Sequence, residues 1–214
     1  MRIDSIEKSR KGNKFKVLFD DGMELLLSKE VIIDFGLRRN DEISDKVCSE
    51  LRDAQSYRDA YLAAARLLNY RLRTRSELNK RLMQKGFQQA IVEKVIRKMV
   101  EIGLLDDARF ADAFVASKIA SKPVGKRELA RGLMEKGVAK ETAAAAVSLV
   151  GDDETQLSLA LDAASTRMRS LARFEPAKRK EKLVAFLARR GFGWDVIKKV
   201  IKAILKEDTD VVDL

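Results

Sequence analysis

The chain has 214 residues, 46% of them hydrophobic and 36% charged, with a formal net charge of +10 and no histidine. That is enough apolar material for a sizeable core, with a charged share well above average. Without histidine, an imidazole general base, a Ser-His-Asp triad and a His metal site are all excluded. One cysteine, Cys48, excludes an internal disulfide and Cys-rich zinc sites.

The first 43 residues read as a small β-rich element. Ile3 to Lys8, Lys14 to Asp20 and Met23 to Ser28 are strand candidates. Asp20-Asp21-Gly22 between the last two is a hairpin signal, because Asp-Gly tolerates the positive φ of a tight turn. Residues 29–36 have room for a short helix, and RRNDEIS is a polar connection. From Ser44 the pattern turns helical.

Three segments downstream superimpose on a glycine: RSELNKRLMQKGF at Gly86, KRELARGLMEKGV at Gly137 and KEKLVAFLARRGF at Gly191. Leucines fall eight and four residues before each glycine, at Leu78/Leu82, Leu129/Leu133 and Leu183/Leu187. A basic residue precedes each glycine: Lys85, Lys136 and Arg190. The glycines lie 51 and 54 residues apart. A fixed period of this size means one supersecondary unit stacked several times.

Repeat one spans 56–103, with a first helix near 56–70. Thr74 and Glu77 form a capping box that opens its second helix. Gly86 takes the C′ position, where positive φ costs glycine little. Ile91, Val92, Val95, Ile96 and Met99 stripe the third helix at i, i+3, i+4 spacing. Repeat two spans 104–151, with Asp106 or Asp107 placed to cap its first helix and KPVG breaking the chain before the second. Its third-helix stripe, Ala143, Ala146, Val147 and Val150, is smaller. Repeat three spans 152–206, with Pro176 in the first turn of its second helix and Ile197, Val200, Ile201 and Ile204 on its third. Residues 207–214 form an acidic tail.

The expected fold is mainly α: three tandem three-helix repeats in an elongated, curved array behind a small β-hairpin-containing N-terminal element, residues 1–55, which ends in a short helical linker. Catalytic chemistry finds no support. There is no GxxxxGK[ST] loop and no G-x-G-x-x-G. Asp106-Asp107 and Asp152-Asp153-Glu154 sit at helix starts, where capping explains them more simply than cation binding.

Charge is unevenly placed. Residues 1–55 carry 11 Lys/Arg against 12 Asp/Glu, and residues 56–214 carry 32 against 21. The repeats therefore suit a polyanion such as nucleic acid, or an acidic protein surface. The candidate contacts are Arg71, Arg73 and Arg75 in repeat one, Lys126, Arg127 and Arg131 in repeat two, and Arg179 and Lys180 in repeat three. No apolar run approaches a membrane span, and the N-terminus MRIDSIEKSRKGNKFKVLF lacks a signal-peptide h-region. A reducing, cytoplasmic setting is expected.

The central segment GLLDDARFADAFVASKIASKPVGKRELARGLMEKGV resembles the core of the RecX family, bacterial regulators of the RecA recombinase. LMQKGF and the flanking repeats resemble the same family's modules over about 60–206, and the leading β segment resembles an extension found in some members. The sequence departs from the pattern at Val138, where an aromatic is usual, in the alanine-rich TAAAAAV, and in the longer span before the second helix of repeat three. The resemblance implies a protein that is not an enzyme and inhibits RecA by binding its filament on DNA, affecting recombination, repair and the SOS response. It implies no cofactor or metal, weak contact with single- or double-stranded DNA or contact within the filament, and a monomer. The alternative is a sequence-nonspecific DNA-binding protein that uses its basic helical repeats.

Overall fold

The computed structural model describes residues 1–9 and 13–210, the last six of these by backbone alone. Three strands come first: β1 (Ile3–Lys8), β2 (Lys14–Phe19) and β3 (Glu24–Ser28). They form an antiparallel sheet in the order β1-β2-β3. Gly22 at φ 87° closes the β2–β3 turn as Asp-Asp-Gly requires, and the Met23 amide donates to the Asp21 carboxylate at 2.9 Å. Val17 and Phe19 alternate onto one face and are buried with Ile3 and Leu27.

Ten helices follow among the described residues. A short α1 (Lys29–Asp34) starts at Ser28, whose hydroxyl accepts from the Val31 amide. Repeat one uses α2 (Asp45–Tyr70), α3 (Arg75–Gln84) and α4 (Gln89–Glu101). Repeat two uses α5 (Asp107–Ser121), α6 (Lys126–Glu135) and α7 (Lys140–Ser148). Repeat three uses α8 (Asp153–Leu171), α9 (Pro176–Arg189) and α10 (Trp194–Asp210). Residues 207–210 of the acidic tail continue the backbone of α10, and 211–214 lie outside the described residues.

The chain divides into two compact units, Met1–Arg71 with Leu78–Leu105, and Leu72–Glu77 with Asp106–Leu214. In the first unit the helical pattern expected from Ser44 and the first repeat helix expected near 56–70 form one continuous helix, α2, which is capped by Ser44 and serves two cores. Cys48 and Leu51 pack with the sheet, while Ala60 and Ala64 pack with Leu78, Leu82 and the α4 stripe. Buried Gln55 stands between them: its carbonyl accepts from the Ser28 amide at 2.6 Å and its amide donates to Asp59 at 3.0 Å. Asp59 in turn pairs with Lys14 of β2 at 2.7 Å. A polar residue is tolerated at this depth because both ends of its amide are hydrogen-bonded.

The second unit holds two separate apolar cores. One gathers Phe110, Leu129, Leu133 and Val138 with Ala143, Ala146, Val147 and Val150 of the small stripe. The other gathers Leu183, Leu187, Phe192, Ile197, Val200 and Ile201. All six repeated leucines are at most 1% exposed. Deleting the side chain of any one beyond Cβ would cost about 2–5 kcal/mol, since transfer and cavity terms add.

Candidate partner-binding surface

The repeated glycines organise the surroundings of the candidate cations. Gly86, Gly137 and Gly191 have φ of 88°, 79° and 80°, just past the ends of α3, α6 and α9. Each is a C′ residue, and the next residue's amide reaches back to the carbonyl of the repeated leucine: Phe87 to Leu82, Val138 to Leu133 and Phe192 to Leu187. Phe192 is 1% exposed, so it packs between helices and is closed to base stacking.

Gly137 and Gly191 carry a second role within the second unit. The Lys136 carbonyl accepts from the Thr74 hydroxyl at 2.7 Å, and the Arg190 carbonyl accepts from the Gly125 amide at 2.8 Å. Thr74 and Gly125 occupy the same register, twelve residues before a repeat glycine. The basic residue and glycine that end one second helix thus meet the start of the preceding second helix, twice. The approach leaves no space: a Cβ on Gly137 would lie 2.3 Å from Ser76 Cβ, and one on Gly191 would lie 2.2 Å from the Glu128 amide nitrogen. A Cβ on Gly125 would lie 2.3 Å from the Gly191 oxygen. Lys136 Nζ reaches Glu77 at 3.2 Å, and Arg190 donates to the Pro123 carbonyl at 3.1 Å. The Glu77 amide donates to Thr74 at 3.0 Å, so Thr74 caps α3 as the sequence predicts while also holding this joint.

The eight candidate cations occupy unlike environments. Arg75, Lys126 and Lys180 share one register relative to the repeat glycines; the first two open α3 and α6, and Lys180 lies in the second turn of α9. Arg75, Arg127 and Lys180 are exposed, and Lys126 is half-buried. Arg71, just after α2, is exposed and engaged in an interaction of its own. Arg73 is different: it is 9% exposed and already partnered, so it presents little guanidinium surface. Arg131 is exposed but held by Glu128 at 2.7 Å and Glu135 at 2.8 Å on its own helix. The Glu128 hydrogen bonds, and then the charges of Glu128 and Glu135, raise its pKa further. Its charge is locally balanced. Arg179 folds back to donate to the carbonyls of Phe174 at 2.6 Å and Ala172 at 3.0 Å, closing the end of α8. Alternation and net charge do not distinguish these cases, because pairing depends on i+3 and i+4 neighbours and on loop geometry.

The acidic clusters cap helices. Asp106 accepts from the Ala108 amide at 2.8 Å and the Arg109 amide at 3.2 Å. Asp152 accepts from the Thr155 amide and hydroxyl, both at 3.0 Å, which lowers its pKa. Among the described residues, no group of three or more His, Cys, Asp or Glu side chains could hold a metal. No helix among them is long and apolar enough to cross a membrane.

Three consecutive three-helix modules, two of them joined to the preceding second helix by the same glycine contact, define a tandem helical-repeat protein. Models of the RecX first, second and third three-helix domains match residues 60–99, 106–147 and 154–201 in that order. The regulatory protein RecX of Chlorobaculum tepidum is 34% identical over 146 residues, covering 68% of this chain and 88% of its own. That of Leuconostoc mesenteroides is 24% identical over 216 residues, covering 100% of this chain and 79% of its own. The chain belongs to the RecX family. Among solved structures, a crystal structure of regulatory protein RecX has a TM-score of 0.78 at 23% identity, covering 93% of this chain and 98% of that one. RecX from Lactobacillus salivarius has a TM-score of 0.65 at 23% identity, covering 70% and 97%. Likeness at that identity establishes the fold.

Proposed function

We propose that this chain is a non-enzymatic, cytoplasmic modulator of RecA, which binds the RecA–DNA filament as a monomer and inhibits its activity in recombination, DNA repair and the SOS response. The observation that carries this reading is family membership across all three repeats. Relatives named as regulatory protein RecX match through the full set of three-helix domains rather than one module. The basic excess of residues 56–214 supports a polyanionic or acidic partner. Arg75, Arg127 and Lys180 are the strongest contacts among the eight, because they are exposed and stand within the first two turns of the second helices.

RecA assembled on single-stranded DNA tests the proposal. Addition of the protein, well below one molecule per RecA protomer, should lower ATP hydrolysis and strand exchange. Unchanged RecA activity at excess protein would remove the reading. Replacing Arg75, Arg127 and Lys180 together by Glu should weaken inhibition while leaving helical circular dichroism unaltered, since exposed substitutions usually change stability by about 0.5 kcal/mol or less. Equal inhibition by that variant would leave the function standing and displace these residues. The DNA-binding alternative predicts affinity for naked DNA that falls steeply with salt and accounts for the whole effect.

A further inference from the structure

We propose that a pocket in the second unit, centred on Arg167 and Arg190, is a phosphate-binding site. The cavity has a volume of about 340 Å³ and is bordered by Pro123, Thr166, Arg167, Ser170, Phe186 and Arg190. Both guanidiniums stand against one ring: Arg167 lies 5.5 Å and Arg190 5.1 Å from the centre of Phe186. The ring orients two cations that would otherwise repel each other. No Asp or Glu borders the pocket, and neither arginine has an ion pair among the described residues. This contrasts with Arg131, whose charge two carboxylates already balance.

The donors are in place and under-used. Arg167 donates to the Ser170 hydroxyl at 3.2 Å, but its Nε is buried with no hydrogen-bond partner among the described residues. A buried donor without an acceptor is costly, and an oxyanion in the pocket would relieve it. Guanidiniums present paired N–H groups that match the edge of a phosphate, and the Thr166 hydroxyl adds a neutral donor, whereas the Ser170 hydroxyl already donates to the Arg167 carbonyl at 2.8 Å. Arg190 belongs also to the joint between repeats two and three, through its bond to Pro123 and its carbonyl's bond to Gly125. A phosphate held here would therefore tighten that joint. The site lies outside the eight candidate cations and does not rest on RecA as partner.

The test uses the full chain with inorganic phosphate as probe, following the arginine Nε–H signals by NMR. Phosphate should move the Arg167 and Arg190 signals, sodium acetate at equal ionic strength should not, and Arg167→Met should weaken phosphate binding about ten-fold, the scale of one charged hydrogen-bonding group. Arg167→Met keeps contact with Phe186 and leaves the Arg190 joint intact. Single-stranded oligo-dT is the second arm. If its affinity falls in the same variant and its salt slope drops by about one, the phosphate is that of a nucleic-acid strand. If inorganic phosphate binding falls and oligo-dT binding does not, the site stands and takes phosphate from a small molecule. Undiminished phosphate binding by a folded Arg167→Met protein overturns the proposal. Should that variant fail to fold, Arg167→Lys keeps the charge without the paired donors, and phosphate affinity equal to wild type there overturns it as well.

Discussion

The turn after α3 and the turns after α6 and α9 are nearly the same in sequence and backbone, yet they stand in different surroundings. Gly86, Gly137 and Gly191 share positive φ and the same reach back to a buried leucine. Around Gly86 a side chain would meet nothing within 4 Å, whereas at Gly137 and Gly191 it would collide with the start of an earlier helix. The first glycine is a helix cap. The other two are caps and also points of closest approach between modules. One local motif can thus be kept for two physical reasons, and only one of them is local.

The largest expected effect separates these roles. Gly86→Ala should cost about 1–2 kcal/mol, the penalty of a left-handed conformation for a residue with a Cβ. Gly191→Ala should cost about 2–5 kcal/mol, because overpacking against the Glu128 backbone adds to that penalty. Gly137→Ala should fall between, since Ser76 meets it with side-chain atoms first. Urea unfolding of the three variants checks the order, and equal losses at Gly86 and Gly191 would break the comparison.

Thr74→Val sharpens it further. Thr74 is fully buried, and its hydroxyl serves both the Glu77 amide and the Lys136 carbonyl. The substitution keeps the shape and orphans both groups, for an expected loss of about 1–2 kcal/mol. The matching joint in repeat two uses the Gly125 backbone amide, which no side-chain change removes. Faster amide exchange should follow at the start of α3 and around Gly137, with the Gly125–Arg190 joint unaffected. Unchanged exchange at both places would deny Thr74 a part in the joint, and loosening at both joints together would show that they are not independent.

The smallest effect is electrostatic. Asp152 has its pKa lowered from 3.8, first by the Thr155 amide and then by the Thr155 hydroxyl. A carboxylate lowered in the folded state stabilises at all pH above its unfolded value, and that stabilisation is lost as pH falls through the folded value. Asp152→Asn keeps a cap acceptor and removes the titration. Its thermal stability should therefore depend less on pH below about pH 4 than that of wild type, while the two should agree more closely in their response above it. Identical acid profiles would deny the cap any part in acid sensitivity.

Local rules made much of this legible in advance. The three-fold period, the leucine pairs, the positive-φ glycines, the Thr74 and Asp106 caps and the Asp-Asp-Gly hairpin all depend on neighbours within a turn or two of chain. The continuity of α2 was less legible, because its first half packs on the sheet through Cys48 and Leu51 rather than on the repeat and so carries a different stripe. Among the candidate cations, the common register of Arg75, Lys126 and Lys180 follows from counting back from each repeat glycine. The burial of Arg73 and the backbone tethering of Arg179 were not legible, since both depend on how loops close over helix ends.

The pairing of Arg167 with Arg190 across Phe186 shows the same division at longer range. Nothing in a 23-residue separation announces that two arginines will share one ring and border one cavity without a carboxylate. By itself the sequence determined the modules: their number, their helical faces, their caps and their excess of positive charge, because periodicity and capping are properties of short segments. The tertiary structure decided which glycines are contact points, which cations are already spent on partners and which stand free, because these depend on groups brought within a few ångströms by folding.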